Sequence, residues 1–443
     1  MLKKSFILLL VLLLILPVGF ALAEDEGIKP SPNAEAIIKV LENVGLDVSS
    51  DEGLSRGAYA VALCYAANIP EAEVETLPFA DLGGDEWYLG AVGALQQKGI
   101  LKGFPDGKLY GDNDITGIEA AALLARTFGV MEGPDTDVEL EGLQKDHWGY
   151  TLYAWLASEG LTLDDELLLA PISAEMAAKF LEKAFYTAEE ARFIIDMSNR
   201  ANAEVSSLKL KGQLYIKIQV EGEDGQTQTI KPTATFNSEY SKDGIIHQTV
   251  KTIIPGNGPT VEVEQFIDND YIYTCAQDEV GEKTWFKMKN PVPQVFDQSY
   301  LSQQQNLIKS IKEVVHYRII EKEVLEDREK YKIALYSRMD DFSKVFDMIG
   351  YLSSEEKQNL IEANQLLKDI FIRGLFEIDS KDYFVHNANL IITADMDSGK
   401  QPESRQVIKS IVIDAFYEYY DYNVEVDVEI PAEALKAEEI VVE

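Results

Sequence analysis

The sequence predicts a multidomain protein. An all-α, three-fold helical bundle of repeated helix–loop–helix units comes first, and an α+β domain with a curved antiparallel sheet (a half-barrel) and covering helices follows. Three observations carry this expectation. Leu41, Leu95 and Leu156 are each followed four residues later by a glycine, Gly45, Gly99 and Gly160, and then by an apolar residue, Leu46, Ile100 and Leu161. From Val205 onward the texture changes to period-two alternation of aromatic and β-branched residues between turn signals. The 443 residues, 46% of them hydrophobic, suffice for two or three domains that each bury a core.

The chain opens on the basic Met1-Leu2-Lys3-Lys4, an apolar run from Phe6 to Leu16, Pro17, and the small-residue ending Ala21-Leu22-Ala23. That is the layout of a secretory signal peptide over residues 1–23, cleaved after Ala23. The run is too short to span a bilayer comfortably, and no later segment is long and apolar enough to do so. A secreted protein at the cell wall or cell surface is expected. Cys64 and Cys275 lie far apart in apolar stretches, and read as two buried thiols rather than a disulfide.

Residues 24–190 hold the repeats, at about 33–70, 77–130 and 143–187. Each glycine reads as a helix C-terminal cap, where a positive φ is easy. After a loop, Ser55, Thr116 and Ser173 each stand where an N-cap opens a second apolar-periodic helix. No unit alone buries its apolar face, so three stacked units share one core.

The middle unit resembles an S-layer homology repeat, through Phe79-Ala-Asp81, Trp87, Leu95, Gly99-Ile100, Gly103-Phe104, Asp106-Gly107 and Ile115-Thr116-Gly117-Ile118-Glu119. The third is similar through Trp148, Leu156, Gly160-Leu161 and Ile172-Ser173, and the first through Leu41, Gly45-Leu46 and Leu54-Ser55-Arg56. The resemblance implies a three-fold bundle that attaches a surface protein to an anionic cell-wall polysaccharide. By resemblance, Ser55, Arg56, Trp87, Asp106, Gly107, Thr116, Glu119, Trp148 and Ser173 are the wall-polymer-binding residues. The family's binding segment is of the Ile-Thr-Arg-Ala-Glu type, and every unit here departs from it. The first keeps Arg56 without the acid. The second keeps Glu119 with Gly117 at the Arg position, and the third has Ala174 and Met176 at the two positions. Trp87 and Trp148 read as bundle-face aromatics, more simply core than ligand platform.

Charge bears on this expectation. The chain carries 40 Lys+Arg against 76 Asp+Glu, a net of −36. Residues 24–190 hold 10 basic and 32 acidic side chains, which repel an anionic polymer at low salt. The same balance excludes a nucleic-acid partner, because neutralising phosphates needs clustered Lys and Arg.

Residues 191–204 read as a helical linker or the first element of the next domain. In 205–443 the expected strands are 207–221, 226–240, 244–254, 260–275, 283–288, 314–325, 329–338, 383–396, 404–419 and 422–430. Glu223-Asp-Gly225 and Pro255-Gly-Asn-Gly258 are hairpin turns. One helix is expected near 297–313, and a second from Ser353, capped by Ser353-x-x-Glu356, to about Arg373. The layout resembles the LolA-like and LppX-like lipoprotein-carrier half-barrels. Tyr271-Ile-Tyr273, Trp285-Phe-Lys287, the inserted helices and the closing Ile430-Pro-Ala-Glu-Ala434 carry the likeness. It implies space for a lipid or other apolar ligand between sheet and helices, although packed core side chains account for the same pattern.

The four histidines, His147, His247, His316 and His386, lie in separate elements without zinc-ligand spacing. There is no phosphate loop, nucleophile elbow or dinucleotide fingerprint. Asp112-Asn-Asp114 and Asp135-Thr-Asp137 do not fit a calcium loop and read as solvated acids. No catalytic residue, metal or cofactor is expected. The expected function is non-enzymatic wall attachment with a C-terminal ligand-binding module. The alternatives are a carrier or sensor whose bundle docks a protein, and an exported hydrolase with an unmarked acid pair.

Overall fold

A computed structural model of the chain describes residues 32–440, except 49–51, 75, 131–137, 165–166, 223–224, 254, 256–259, 278–282, 291–314, 340–366 and 397–405. The signal segment, the helix expected at 297–313, the Ser353 capping box, Asp135 and Asp137, and most of the Pro255–Gly258 turn lie outside these residues. The chain divides into a unit of Gly27–Glu189 with Glu313–Ile320, and a unit containing Glu190–Lys312 and Glu321–Glu443.

The first unit contains six helices among the described residues: α1 (Ala34–Asn43), α2 (Arg56–Ala66), α3 (Leu89–Gln97), α4 (Gly117–Thr127), α5 (Tyr150–Ser158) and α6 (Ala174–Phe185). Helices α1, α3 and α5 run into glycines of positive φ, Gly45 at 90°, Gly99 at 69° and Gly160 at 69°. The apolar residue after each glycine turns back and donates to the leucine carbonyl five residues before it. These bonds are Leu46 N to Leu41 O (3.2 Å), Ile100 N to Leu95 O (2.9 Å) and Leu161 N to Leu156 O (2.8 Å). At the start of α2 the Ser55 Oγ accepts from Ala58 N, and at α6 the Ser173 Oγ accepts from Met176 N. At α4 Thr116 and Glu119 form a capping box.

Just before these caps, three backbone bonds link the units in a closed ring. Leu54 N–H donates to Ile172 O (2.8 Å), Ile172 N–H to Ile115 O (3.1 Å), and Ile115 N–H to Leu54 O (2.8 Å). Ile37, Leu41, Tyr59, Leu95, Leu124 and Leu156 fill the core beside this ring. The buried Tyr59 hydroxyl, its pKa raised by burial, donates to Ala120 O at 3.1 Å. Both cysteines are buried free thiols.

The other unit opens on α7 (Glu189–Ala203), and the described residues carry one sheet of thirteen strands. They are β1 (Leu208–Gly222), β2 (Thr227–Ile230), β3 (Thr233–Tyr240), β4 (Ile246–Ile253), β5 (Thr260–Ile267), β6 (Tyr271–Gln277), β7 (Lys283–Lys289), β8 (Val315–Val324), β9 (Glu329–Met339), β10 (Leu367–Asp379), β11 (Val385–Met396), β12 (Gln406–Tyr420) and β13 (Glu438–Glu439). The order is β13-β7-β6-β5-β4-β3-β1-β12-β11-β10-β9-β8, with β2 paired to β1. Every strand pair with a described register is antiparallel except the short β13–β7 pair.

Four expectations are corrected. The run 260–275 is not one strand: the Asp268 carboxylate accepts from Asp270 N and Tyr271 N and turns the chain, so that β5 and β6 pair antiparallel as a hairpin. The run 226–240 is not one strand. Pro232, which has no N–H to give a ladder, separates β2 from β3. The expected helix to Arg373 is wrong over Leu367–Arg373, which begins β10. Ile370, Ile372, Gly374, Phe376 and Ile378 alternate along one face, a period-two pattern that outweighs the helical reading. Residues 422–430 form no strand. Their alternation is real, with Val426 and Val428 buried between exposed Glu425, Asp427 and Glu429. The segment lies against Phe266 and Tyr273 without joining a ladder, and Val424, expected on the packed face, is half exposed. A short helix, α8 (Ala432–Leu435), follows.

Strand registers decide what the two sheet faces carry. One face holds Leu210, Leu214 and Ile216 of β1, with Phe236 of β3 and Ile413, Ala415 and Tyr417 of β12. It continues through Leu390 of β11, Phe376 of β10, and Ile333 and Leu335 of β9. Among the described residues, the paired positions on this face carry no charged side chain from β7 to β9. The opposite face carries the ion pairs, including Lys209–Glu239 (2.9 Å) and Lys211–Glu418 (2.9 Å), and the His247–Glu264 contact (3.1 Å).

Candidate functional site

The geometry around Arg56 begins with the ring of backbone bonds. Ser55 bridges Asp114 and Thr116 bridges Pro171, so the start of α2 lies beside the start of α4. Arg56 N–H donates to Asn113 O at 2.9 Å. The Arg56 guanidinium then meets the acid its own unit lacks: Nη2 donates to Glu119 Oε1 at 2.7 Å, across 63 residues. Nη1 donates to Tyr110 O at 3.4 Å, and Cζ lies 4.9 Å from the Phe104 ring centroid. Both ion-pair side chains are largely buried, 15% and 18% exposed. The second Glu119 oxygen accepts from Thr116 N at 2.9 Å, so one carboxylate caps α4 and holds Arg56. Two motif remnants from different units thus complete one another.

The loop that supplies Phe104 and Tyr110 is built by the Phe104-Pro-Asp-Gly107 turn. Gly107 has a φ of 78° and its N–H returns to Phe104 O at 2.9 Å. The Asp106 carboxylate accepts from the Tyr110 hydroxyl, which holds its pKa low. Asp81 accepts from Leu109 N (2.9 Å) and Tyr110 N (2.7 Å). Burial alone raises the Asp81 carboxyl, but these two N–H groups, its own N–H and the Lys108 charge together outweigh it and leave its pKa lowered. Tyr88 lies between Gly57 and Gly111, where a Cβ at either would meet its ring or hydroxyl within 2.4 Å. Its hydroxyl donates to Asp112 Oδ1 at 3.1 Å.

Of the residues named by resemblance, Ser55, Arg56, Asp106, Gly107, Thr116 and Glu119 fall into this one cluster. Trp87 joins its border, edge-on to Tyr88 at 5.5 Å. Trp148 lies at a tilt beside His147, and Ser173 bridges Gly53 in the same ring of backbone bonds. The core reading of the two tryptophans is corrected, because Trp87 is 44% and Trp148 56% exposed. Phe104 stood in the motif, but nothing in the sequence marked it as the ring under Arg56. Tyr110 contributes through a backbone carbonyl at a φ of 54°, which no side-chain pattern announces.

Gly117, at the middle unit's arginine position, has no room for a side chain. A Cβ on Gly117 would lie 2.4 Å from Leu167 O, and the neighbouring Ile118 N–H is bound to Leu168 O at 2.7 Å. The third unit's backbone occupies the space that an arginine stem would need at this position. Among the described residues, no group of three or more His, Cys, Asp or Glu side chains converges on a common point. No helix among them is long and apolar enough to cross a membrane.

Within the first unit, the S-layer homology domain family matches residues 78–121, which span α3 and the start of α4. A family of unknown function (DUF6612) matches residues 190–439, more than half of the chain, and the chain belongs to it. Over 126 residues the chain is 29% identical to a surface layer protein of Brevibacillus choshinensis, covering 26% of this chain and 11% of that one. It therefore spans about a tenth of that relative's length. Among solved structures it is similar to the lipoprotein LppX of Mycobacterium tuberculosis (11% identity, 55% of this chain and 100% of that one, TM-score 0.26). LprF from Mycobacterium bovis is similar at 10% identity, over 56% of this chain and 99% of that one, with a TM-score of 0.27. A LolA superfamily protein from Nitrosomonas europaea follows at 8% identity, over 54% and 94%, with a TM-score of 0.13.

Proposed function

We propose that the protein is a secreted, non-enzymatic component of the cell surface whose sheet holds a lipid or other apolar ligand. The single observation that carries this reading is the uncharged face running from β7 to β9. An antiparallel sheet face that meets water normally carries polar and charged side chains. Here the lysines and glutamates paired in register stand on the other face. Transfer of apolar surface onto such an uncharged face is favourable by roughly 25 cal/mol per Å².

The S-layer homology match and the surface layer relative support placement at the cell wall. In this reading the six helices form the three-fold bundle of that domain family, and attachment is non-covalent, to an anionic wall polysaccharide. Two features limit attachment to a single pocket. Gly117 leaves no room for a second arginine, and Arg56 is the binding-segment arginine that remains. An anionic polymer then competes with Glu119 for the Arg56 guanidinium.

Pull-down of the secreted chain on purified cell-wall sacculi tests the attachment. Binding that falls severalfold with Arg56→Ala supports the pocket, and binding indifferent to it refutes the pocket. No sedimentation with sacculi refutes attachment and favours docking on a protein. Fluorescence of the apolar probe N-phenylnaphthylamine tests the sheet: saturable enhancement by the full chain supports the reading, and none refutes it.

A further inference from the structure

The uncharged face is not uniformly apolar. Ser238 on β3 pairs with Gln248 on β4, Gln248 with Gln265 on β5, and Gln265 with Thr274 on β6. These four residues form one row across four neighbouring strands, all pointing to the uncharged face. They are 6%, 2%, 8% and 6% exposed. Gln248 Nε2 donates to Gln265 Oε1 at 2.7 Å, and Gln265 Nε2 donates to Thr274 Oγ1 at 3.0 Å. At the β3 end the row stays open. The buried Ser238 Oγ has no hydrogen-bond partner among the described residues, and its neighbour across on β1 is Leu210.

We infer that this row receives the uncharged, hydrogen-bonding head of an amphiphilic ligand, a neutral lipid with hydroxyl or ester groups, while its apolar part lies over β1, β12, β11 and β10. The inference rests on the proposal that this face holds an apolar ligand. A buried hydroxyl without a partner costs free energy, so a purely structural row gains by closing on itself or being apolar throughout. The open end instead offers one hydroxyl that both donates and accepts, and beside it the Gln248 amide, which uses one hydrogen on Gln265. Charge decides the head. With no cation on this face among the described residues, a carboxylate or phosphate bears an uncompensated desolvation cost, whereas a hydroxyl or ester finds matched partners. The apolar side chains begin directly beside the row, at Leu210 and Phe236.

The test titrates the full chain with dioleoylglycerol, with oleate at pH 8, and with N-phenylnaphthylamine, which brings no hydroxyl or ester. Two variants are compared with the wild type: Ser238→Ala, which removes only the open hydroxyl, and Gln248→Leu with Gln265→Leu, which replaces a bonded pair by apolar groups of similar size. Wild type is expected to prefer dioleoylglycerol to oleate. Ser238→Ala is expected to weaken dioleoylglycerol roughly fivefold to tenfold, the worth of one hydrogen bond, to leave N-phenylnaphthylamine unchanged, and to keep or raise thermal stability, because it removes an unpartnered buried hydroxyl. The double variant guards against a misfolded single variant and is expected to lose at least as much. Equal dioleoylglycerol affinity in all three proteins, or preference for oleate, overturns the head assignment alone if the apolar probe still binds. Failure of the apolar probe on wild type overturns the apolar-face reading and the head assignment together.

Discussion

Replacing Glu119 by alanine removes two interactions made by one carboxylate. The first is the 2.7 Å ion pair with Arg56, whose side chains are 15% and 18% exposed. Removing one partner of a fully buried pair costs roughly 3–5 kcal/mol, and the remaining exposure lets water and a small rotation of Arg56 recover part of this, which leaves about 2–3 kcal/mol. The second is the bond from Thr116 N, half of the α4 capping box, worth about 1 kcal/mol. The sum is about 3–4 kcal/mol, and at about 2–4 °C per kcal/mol for a unit of this size the melting temperature falls by roughly 10 °C. Glu119→Gln keeps the capping acceptor and loses only the charge, so it is expected to cost about 2 kcal/mol. Differential scanning calorimetry of the full chain, followed through the transition of the helical unit, reads both. A double-mutant cycle with Arg56→Met isolates the pair, with an expected coupling of about 2 kcal/mol. A coupling below about 0.5 kcal/mol is what a solvent-exposed pair gives, and refutes the view that these two remnants form one buried clamp.

Gly117→Arg restores the family's residue type at the middle unit, yet is expected to destabilise by about 2–3 kcal/mol through overpacking against Leu167 O and to add no sacculus binding; urea unfolding and pull-down check both halves. Asp81 has a folded-state pKa below its ordinary value, so its stabilisation is present above about pH 4 and is lost as pH falls through the folded value. Asp81→Asn is therefore expected to be less stable than wild type at pH 7, with the difference narrowing as pH falls below about 4 in urea titrations; a constant difference contradicts the assignment.

Much of the helical unit was legible because its signals are local. The glycine after each first helix and the hydroxyl before each second one act within five residues, and Leu46, Ile100 and Leu161 return to their own leucine carbonyls. The Arg56–Glu119 pair was not legible, because it depends on a ring closed by Leu54, Ile115 and Ile172 from three separate units. Read singly, Arg56 and Glu119 are halves of a decayed motif; only the ring makes them partners. Gly117 likewise reads as a lost arginine until Leu167 is seen to fill its place. In the sheet, β1 and β4 follow from alternation, whereas the turns at Pro232 and Asp268 were hidden inside runs read as single strands, and Leu367–Arg373 also satisfied a helical stripe. Val426 and Val428 alternate as strand residues do, because burial alternation needs only a surface to pack on, here Phe266 and Tyr273, and no hydrogen-bonded neighbour. The open polar row was hidden for the same reason as the ion pair, since its members come from four strands and meet only in register.

The uncharged sheet face is the centre of the functional account, and mass spectrometry of organic extracts from the purified full-length protein tests it most directly. The expected result is one neutral, apolar-chained species recovered reproducibly, at close to one per protein. A protein that is reproducibly empty, and takes up neither dioleoylglycerol nor N-phenylnaphthylamine when offered them, contradicts the account and makes that face ordinary core.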